Sequence, residues 1–201
     1  MTDVLLIRHG LCDPVGQLIA GRSPGVHLNA TGRRQARTLA DMLEHAPLVA
    51  VYSSPVDRAL ETAAALAGRI GLKVRISPGL EELDYGAWTG RTLESLSDDP
   101  VWRRFNVRRG ATRIPDGESM AEVVARAGRA LAGMQREHED GLVAAVTHGD
   151  VIRALLAHYL GMRLDHMLRL EVAPASVSVI RFAPEPRVMG VNWLPDPASV
   201  L

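Results

Sequence analysis

The chain has 201 residues, 47% of them hydrophobic and 23% charged, and 23 basic residues balance 23 acidic ones. Those proportions belong to a globular domain that buries its own core, and they exclude a disordered tail. The absence of a basic excess counts against a general nucleic-acid or anionic-membrane binder.

Lys73 is the only lysine, so the remaining basic residues are arginines, which bind phosphate and carboxylate through two parallel donors. A single cysteine, Cys12, excludes an intramolecular disulfide and suits a reducing compartment. The first residues lack a basic leader, and no apolar run approaches membrane-spanning length, so a cytoplasmic protein is expected.

In chain order, Val4–Ile7 is a short apolar run of the kind found in strands buried on both faces. Asn29 is an N-cap for a helix with Ala36, Leu39, Ala40 and Leu43 on one stripe. Leu48–Tyr52 reads as a second strand. Ser54 and Pro55 then read as the N-cap and first residue of a helix with Val56, Ala59, Leu60, Ala63 and Ala67 inward. Val74–Ile76 is a third strand. From about 80 to 117 the periodicity fades and Gly, Asp, Arg and aromatics accumulate, among them Trp88, Trp102 and Phe105. This segment is expected to be an excursion over one end of the sheet, with short helices near 91–97 and 99–107.

Ser119 and Glu122 fit a capping box, opening a helix with Met120, Val123, Val124, Ala127, Leu131 and Met134 on one face. Leu142–Val146 is a fourth strand and Val151–Leu160 a helix. Strands at Val177–Phe182 and Val188–Trp193 flank a Pro184-Glu185-Pro186 turn. Alternating strands and helices imply a mostly parallel sheet covered on both faces, and a short turn makes the last two strands antiparallel. The expected fold is α/β: one domain, 1–201, built as a three-layer α/β/α sandwich with a mixed, mostly parallel sheet.

Four elements carry chemistry. Arg8-His9-Gly10 follows the first strand and Thr147-His148-Gly149 the fourth. Ligands in open α/β sheets bind beyond the carboxyl ends of strands, and a glycine after each histidine lets the backbone approach a ligand. Two unrelated loop-edge histidines are the alternative. Arg58 falls in the first turn of a helix, where the dipole prefers negative charge. A bound anion would explain it, and a surface pair with Asp57 or Glu61 is the rival explanation. Glu81 and Glu82 begin the excursion. One acid in a Trp-walled pocket is a proton-donor candidate, because desolvation raises a carboxyl toward the working pH. A metal site from His9, His148 and Asp150 is disfavoured by the cationic Arg8 beside His9. In the run Arg103, Arg104, Arg108, Arg109 and Arg113, one or two could greet an anionic group of a substrate.

Arg8-His9-Gly10, Ser53-Ser54-Pro55-Val56-Asp57-Arg58, Glu82 to Gly90, Pro115 to Ser119 and Thr147-His148-Gly149 together resemble the histidine phosphatase superfamily, in its phosphoglycerate mutase-like branch. The resemblance covers about residues 4 to 182. Ala20–Leu28 and Pro174–Ser178 resemble a subgroup of actinobacterial type labelled phosphomutase or phosphatase. The resemblance implies that His9 takes the phosphoryl group as phosphohistidine. Arg8, Arg58 and His148, with Gly149, then surround its oxygens, and Glu82 protonates the leaving oxygen and later activates water. No metal or cofactor is required, because positioned cationic donors stabilise phosphoryl transfer.

The chain departs from the family at Val15, where Asn is common, and at Arg22, where Gly is usual. Arg22 is expected to reach in and replace the lost phosphate contact. Leu11 stands where polar residues are commoner. The implied function is a metal-independent phosphatase acting on a small phosphorylated metabolite. A phosphomutase and an inactive phospho-ligand binding module are the alternatives. The short spacing between motifs favours hydrolysis, and the intact set of five residues disfavours the binding module. The late strands could form a homodimer face.

Overall fold

The computed structural model describes residues 1–13 and 18–194, so the expectation at Val15 lies outside the described residues. Six strands form one sheet: β1 (Thr2–Arg8), β2 (Leu48–Ser53), β3 (Val74–Ile76), β4 (Leu142–Thr147), β5 (Val177–Phe182) and β6 (Pro186–Trp193). Their order is β3-β2-β4-β1-β5-β6. β1 and β4, β2 and β4, and β2 and β3 pair in parallel, whereas β1–β5 and β5–β6 are antiparallel. The expected mixed, mostly parallel sheet is therefore present.

Successive side chains of a strand point to opposite faces, so the apolar runs divide into two cores. Val4 and Leu6 of β1 and Val143 and Ala145 of β4 pack on one side, against α4 (Met120–Glu137), α5 (Gly149–Tyr159) and the excursion. Leu5, Ile7, Ala144 and Val146 pack on the other, against α1 (Ala30–Met42) and α2 (Asp57–Ile70). This is the three-layer sandwich.

Local signals act as their chemistry dictates. Asn29 accepts from the Gly32 N–H to cap α1, and Ser119 and Glu122 form both halves of the capping box of α4. Along α4, Met120, Val123, Ala127, Leu131 and Met134 are buried and Val124 is half-buried. The excursion holds α3 (Pro100–Val107), with Pro100 at its first position and the Asp99 side chain accepting from the Val101 and Trp102 N–H groups, and single 3₁₀ turns at Gly86–Trp88 and Glu94–Leu96. Trp88 and Phe105 are buried there, with Trp102 edge-on to Trp88 at 5.1 Å between ring centroids. These rings are core, although Trp102 also touches the neighbouring cavity.

Several boundaries differ from expectation: β1 is longer at both ends, the helix expected near 91–97 is the single turn Glu94–Leu96, and α5 begins at Gly149 rather than Val151. α2 starts at Asp57 with Val56 as its cap; the Ser54 hydroxyl accepts from the Val56 N–H at 3.3 Å, turning the chain before the helix begins, and also meets the His148 ring at 2.8 Å. β6 starts at Pro186 rather than Val188. A residue without an N–H is tolerated at the start of an edge strand.

Candidate active site

The site follows from the register of two parallel strands. Arg8 lies opposite Thr147, and the His9 N–H donates to the Thr147 carbonyl at 3.0 Å. The chains leaving β1 and β4 thus deliver His9 and His148 side by side, with ring centroids 5.2 Å apart. Gly10 permits this path. A Cβ there would meet the Gly32 carbonyl oxygen at 2.6 Å, so only glycine lets the loop press against the start of α1.

His9 is buried. Its Nδ1 lies 2.7 Å from the Gly10 carbonyl oxygen, which requires the Nδ1–H tautomer and leaves a lone pair on Nε2. That lone pair accepts from Arg58 Nε at 3.1 Å. Burial, then the charges of Arg58 and Arg8, hold the imidazole well below its ordinary range, so it stays neutral. Arg58 is also buried, donating to the Gly21 carbonyl at 2.8 Å, and its Nη2 lies 3.2 Å from His148 Nδ1. Arg8 donates to the Val172 carbonyl at 2.6 Å. Two donors are left over: Arg8 Nε and Arg58 Nη1 are buried and have no partner among the described residues. Unpaired buried donors are costly, and a bound oxyanion would satisfy both.

A cavity of about 390 Å³ opens above His9, with Arg8, Arg58, Glu82, Tyr85, Arg109, Gly149, Asp150 and Arg153 in its wall. Gly149 begins α5, so the positive end of that helix dipole also faces the cavity. Glu82 lies in the wall with its Oε1 accepting from the Leu83 N–H at 2.9 Å. Burial, then the neighbouring Asp150 charge, push its carboxyl up to about 7. The cavity therefore combines a neutral nucleophilic nitrogen, a cationic cradle and a carboxyl poised near neutrality.

A profile of the histidine phosphatase superfamily (branch 1) matches residues 4–193. The chain belongs to the histidine phosphatase superfamily. Among similar superfamily members, a probable phosphoglycerate mutase, GpmB, of Enterobacter sp. is 33% identical over 202 residues, covering 99% of this chain and 93% of that one. The structure of YhfR from Bacillus stearothermophilus superposes with a TM-score of 0.91 at 29% identity, over 96% of this chain and 98% of that chain. A mycobacterial glucosyl-3-phosphoglycerate phosphatase in complex with VO3 gives 0.84 at 30% identity, over 95% and 98%.

Of the residues singled out from the sequence, Arg8, His9, Arg58, Glu82 and Gly149 converge on this cavity. His148 sits beneath it, fully buried. Its Nε2 is bound to the Ser54 hydroxyl and its Nδ1 faces Arg58, with Glu82 Oε2 at 3.8 Å. Arg22 is placed differently from the expectation. Its guanidinium donates to the Glu82 carbonyl at 2.8 Å and to Glu118 at 2.8 Å and lies 3.2 Å from Glu81, so carboxylates hold it outside the phosphate cradle. Of the arginine run, Arg103 and Arg113 pair with Asp98 and Glu122 on the surface, whereas Arg109 is buried against the Phe105 ring and reaches the cavity.

Three further contributors have no role assigned from the sequence, although two of them lie inside its motifs. Arg126, an ordinary helix arginine by pattern, donates to the carbonyls of Gly79, Glu81 and Glu82 and to Glu118. Glu118, inside the Pro115–Ser119 run, ties Arg22, Arg126 and the Asp84 N–H together. Tyr85 donates to Asp150 at 2.5 Å. Only its place three residues after Glu82 pointed to it.

Proposed function

We propose that this enzyme is a phosphatase that hydrolyses a small phosphorylated metabolite through a phosphohistidine on His9. The observation that carries the reading is the His9 geometry. Nδ1 is tied to a carbonyl, so Nε2 offers its lone pair beside two unpaired, buried guanidinium donors.

The steps follow from the residues. The phosphoryl oxygens take up the free N–H groups of Arg8 and Arg58 and draw Arg58 Nε away from the His9 lone pair. Nε2 attacks phosphorus and the bond to the ester oxygen breaks. Glu82 delivers its proton to that oxygen. In the second half, Glu82, now a carboxylate, takes a proton from water; the hydroxyl oxygen attacks phosphorus, the P–N bond breaks and inorganic phosphate leaves. His148, neutral through burial and the nearby arginines, holds the Arg58 guanidinium from below. Charge stabilisation of this kind is the main term in phosphoryl transfer. A mutase would return the phosphoryl group to a second substrate hydroxyl from the same phosphohistidine, and the similarity to the probable phosphoglycerate mutase keeps that reading in the test.

The test incubates the protein with ³²P-labelled phosphoglycerates and sugar phosphates in the presence of EDTA. Phosphate release and isomer formation are both followed, and the protein is quenched to trap acid-labile label. The expected result is phosphate release with label on His9, and neither in His9→Ala. Turnover surviving in His9→Ala would overturn the mechanism, and isomer formation without net phosphate release would replace hydrolysis by transfer.

A further inference from the structure

A second carboxylate shares the cavity with Glu82. Asp150 is buried in the wall at the second position of α5, two residues after His148. Its Oδ2 accepts from the Tyr85 hydroxyl at 2.5 Å and from Arg109 at 3.4 Å, and Arg153 Nη1 lies 3.6 Å from Oδ1. The start of a helix adds a favourable dipole. Glu82 has no comparable support. Among the described residues its carboxylate meets the Leu83 N–H and, at 3.8 Å, the ring of His148, which is neutral.

Two carboxyls confined in one site cannot ionise equally, and the better-solvated one takes the charge. We propose that Asp150 is a positioning residue for the acid step: its carboxylate, held ionised by Arg109, Tyr85 and Arg153, keeps the proton on Glu82. The proposal rests on the reading of Glu82 as general acid.

The balance of charges supports it. Burial alone would raise Asp150, but Arg109, the Tyr85 hydroxyl and Arg153 more than reverse this and hold it below the usual range. Tyr85, raised well above its ordinary range by burial and then by Asp150, remains a donor. The groups facing Glu82 are Arg8 from the end of β1, neutral His9, Arg58 from α2, neutral Tyr85 from the excursion, and neutral His148 and Asp150 from the start of α5. Arg22 and Arg126 donate to its main-chain carbonyl, and Glu118 pairs with both of those arginines. Arg8 and Arg58 oppose Asp150, pulling Glu82 toward ionisation. A bound phosphoryl dianion neutralises that pair of cations, so during turnover the influence of Asp150 prevails and the acid is protonated when it is needed. The arrangement suits substrates whose leaving oxygen is an alkoxide, which departs only with a proton.

The test compares wild type, Asp150→Asn and the smaller neutral variant Asp150→Ser. The alkaline limb of kcat/KM is measured for glycerol 2-phosphate and for p-nitrophenyl phosphate, whose leaving group needs no proton. Removing the charge should move the limb for glycerol 2-phosphate down by about one pH unit, giving a roughly tenfold loss near pH 8 and a much smaller loss with p-nitrophenyl phosphate.

Independently, ¹³C-carboxyl NMR of glutamate-labelled protein follows Glu82 itself, its resonance assigned by its disappearance in Glu82→Gln. Its midpoint should fall by at least about one pH unit in both Asp150 variants. An unmoved midpoint in a folded variant overturns the proposal. A midpoint that falls while both substrates respond alike supports the coupling and instead removes Glu82 from the acid role.

Discussion

Replacing Glu82 by Gln removes a titrating carboxyl from the cavity and leaves a side chain of nearly the same shape. Burial and the Asp150 charge push this carboxyl up to about 7 from an ordinary 4.5. The folded protein therefore keeps a proton that the unfolded chain has already lost, and stability falls as pH rises between those values. The stability associated with the protonated carboxyl is fully present below pH 4.5 and is lost as pH passes 7. At about 1.4 kcal/mol per pH unit, the loss between roughly pH 5 and pH 8 comes to about 2.5 kcal/mol.

His9 and His148 act at the other end. Both are held well below their ordinary 6.5, so acidification below that value favours the unfolded chain. That effect is common to wild type and variant and cancels in their difference. Thermal unfolding of both proteins, followed by circular dichroism at pH 5 and pH 8 and equal ionic strength, isolates Glu82. The pH 5 difference reports the altered hydrogen bond to the Leu83 N–H. From there to pH 8 the difference should move in favour of Gln by about 2.5 kcal/mol, or at least about 5 °C for a chain of this size. A difference in melting temperature that is the same at both pH values would refute the argument that Glu82 is protonated near neutrality.

Three other expectations concern the cradle and the excursion. Inorganic phosphate at a hundredfold excess over its Kd should stabilise the wild type by about 2.7 kcal/mol, and Arg58→Met should lose that thermal upshift at the same concentration; an unchanged upshift would remove Arg58 from the anion site. Trp88→Ala, at a site 1% exposed between Trp102 and Phe105, should cost about 3–5 kcal/mol in urea unfolding, and a loss under about 1 kcal/mol would show that the excursion does not depend on this ring. Gly86→Ala should destabilise by several kcal/mol on the order of the largest single-substitution effects, because Gly86 has φ +45° and an added Cβ would meet the Pro115 carbonyl oxygen at 2.2 Å; neutral stability there would contradict the packing of the two runs.

The candidate site was legible through its two strand-end tripeptides together with the resemblance carried by the five motifs. Arg8-His9-Gly10 and Thr147-His148-Gly149 each sit where an apolar run stops, and the order of short strands and helices already implies where those ends lie. Helix signals confined to a few neighbours, such as Asn29 and the Ser119–Glu122 box, were equally legible. Ser54 was misread for the opposite reason. Its hydroxyl accepts from the Val56 N–H in the manner of a cap, but it also meets His148, 94 residues away in the chain, and the helix begins only at Asp57. Arg22 was misread likewise, since its position suggested phosphate, and Glu118 and Glu81 reached it first.

Local signals sufficed for the alternation of elements, the two-faced strands and the strand ends where the candidate site lies, because periodicity, capping and turn chemistry act over a few residues. Which of the many arginines and acids meet was decided only by the tertiary structure. Arg109 is buried against Phe105 and reaches Asp150, whereas Arg103, six residues before it, stays on the surface with Asp98. Guanidinium and carboxylate groups sit at the ends of long side chains and have no periodic signature. Their pairing depends on where the excursion folds over the sheet, and burial then sets the charge each one carries.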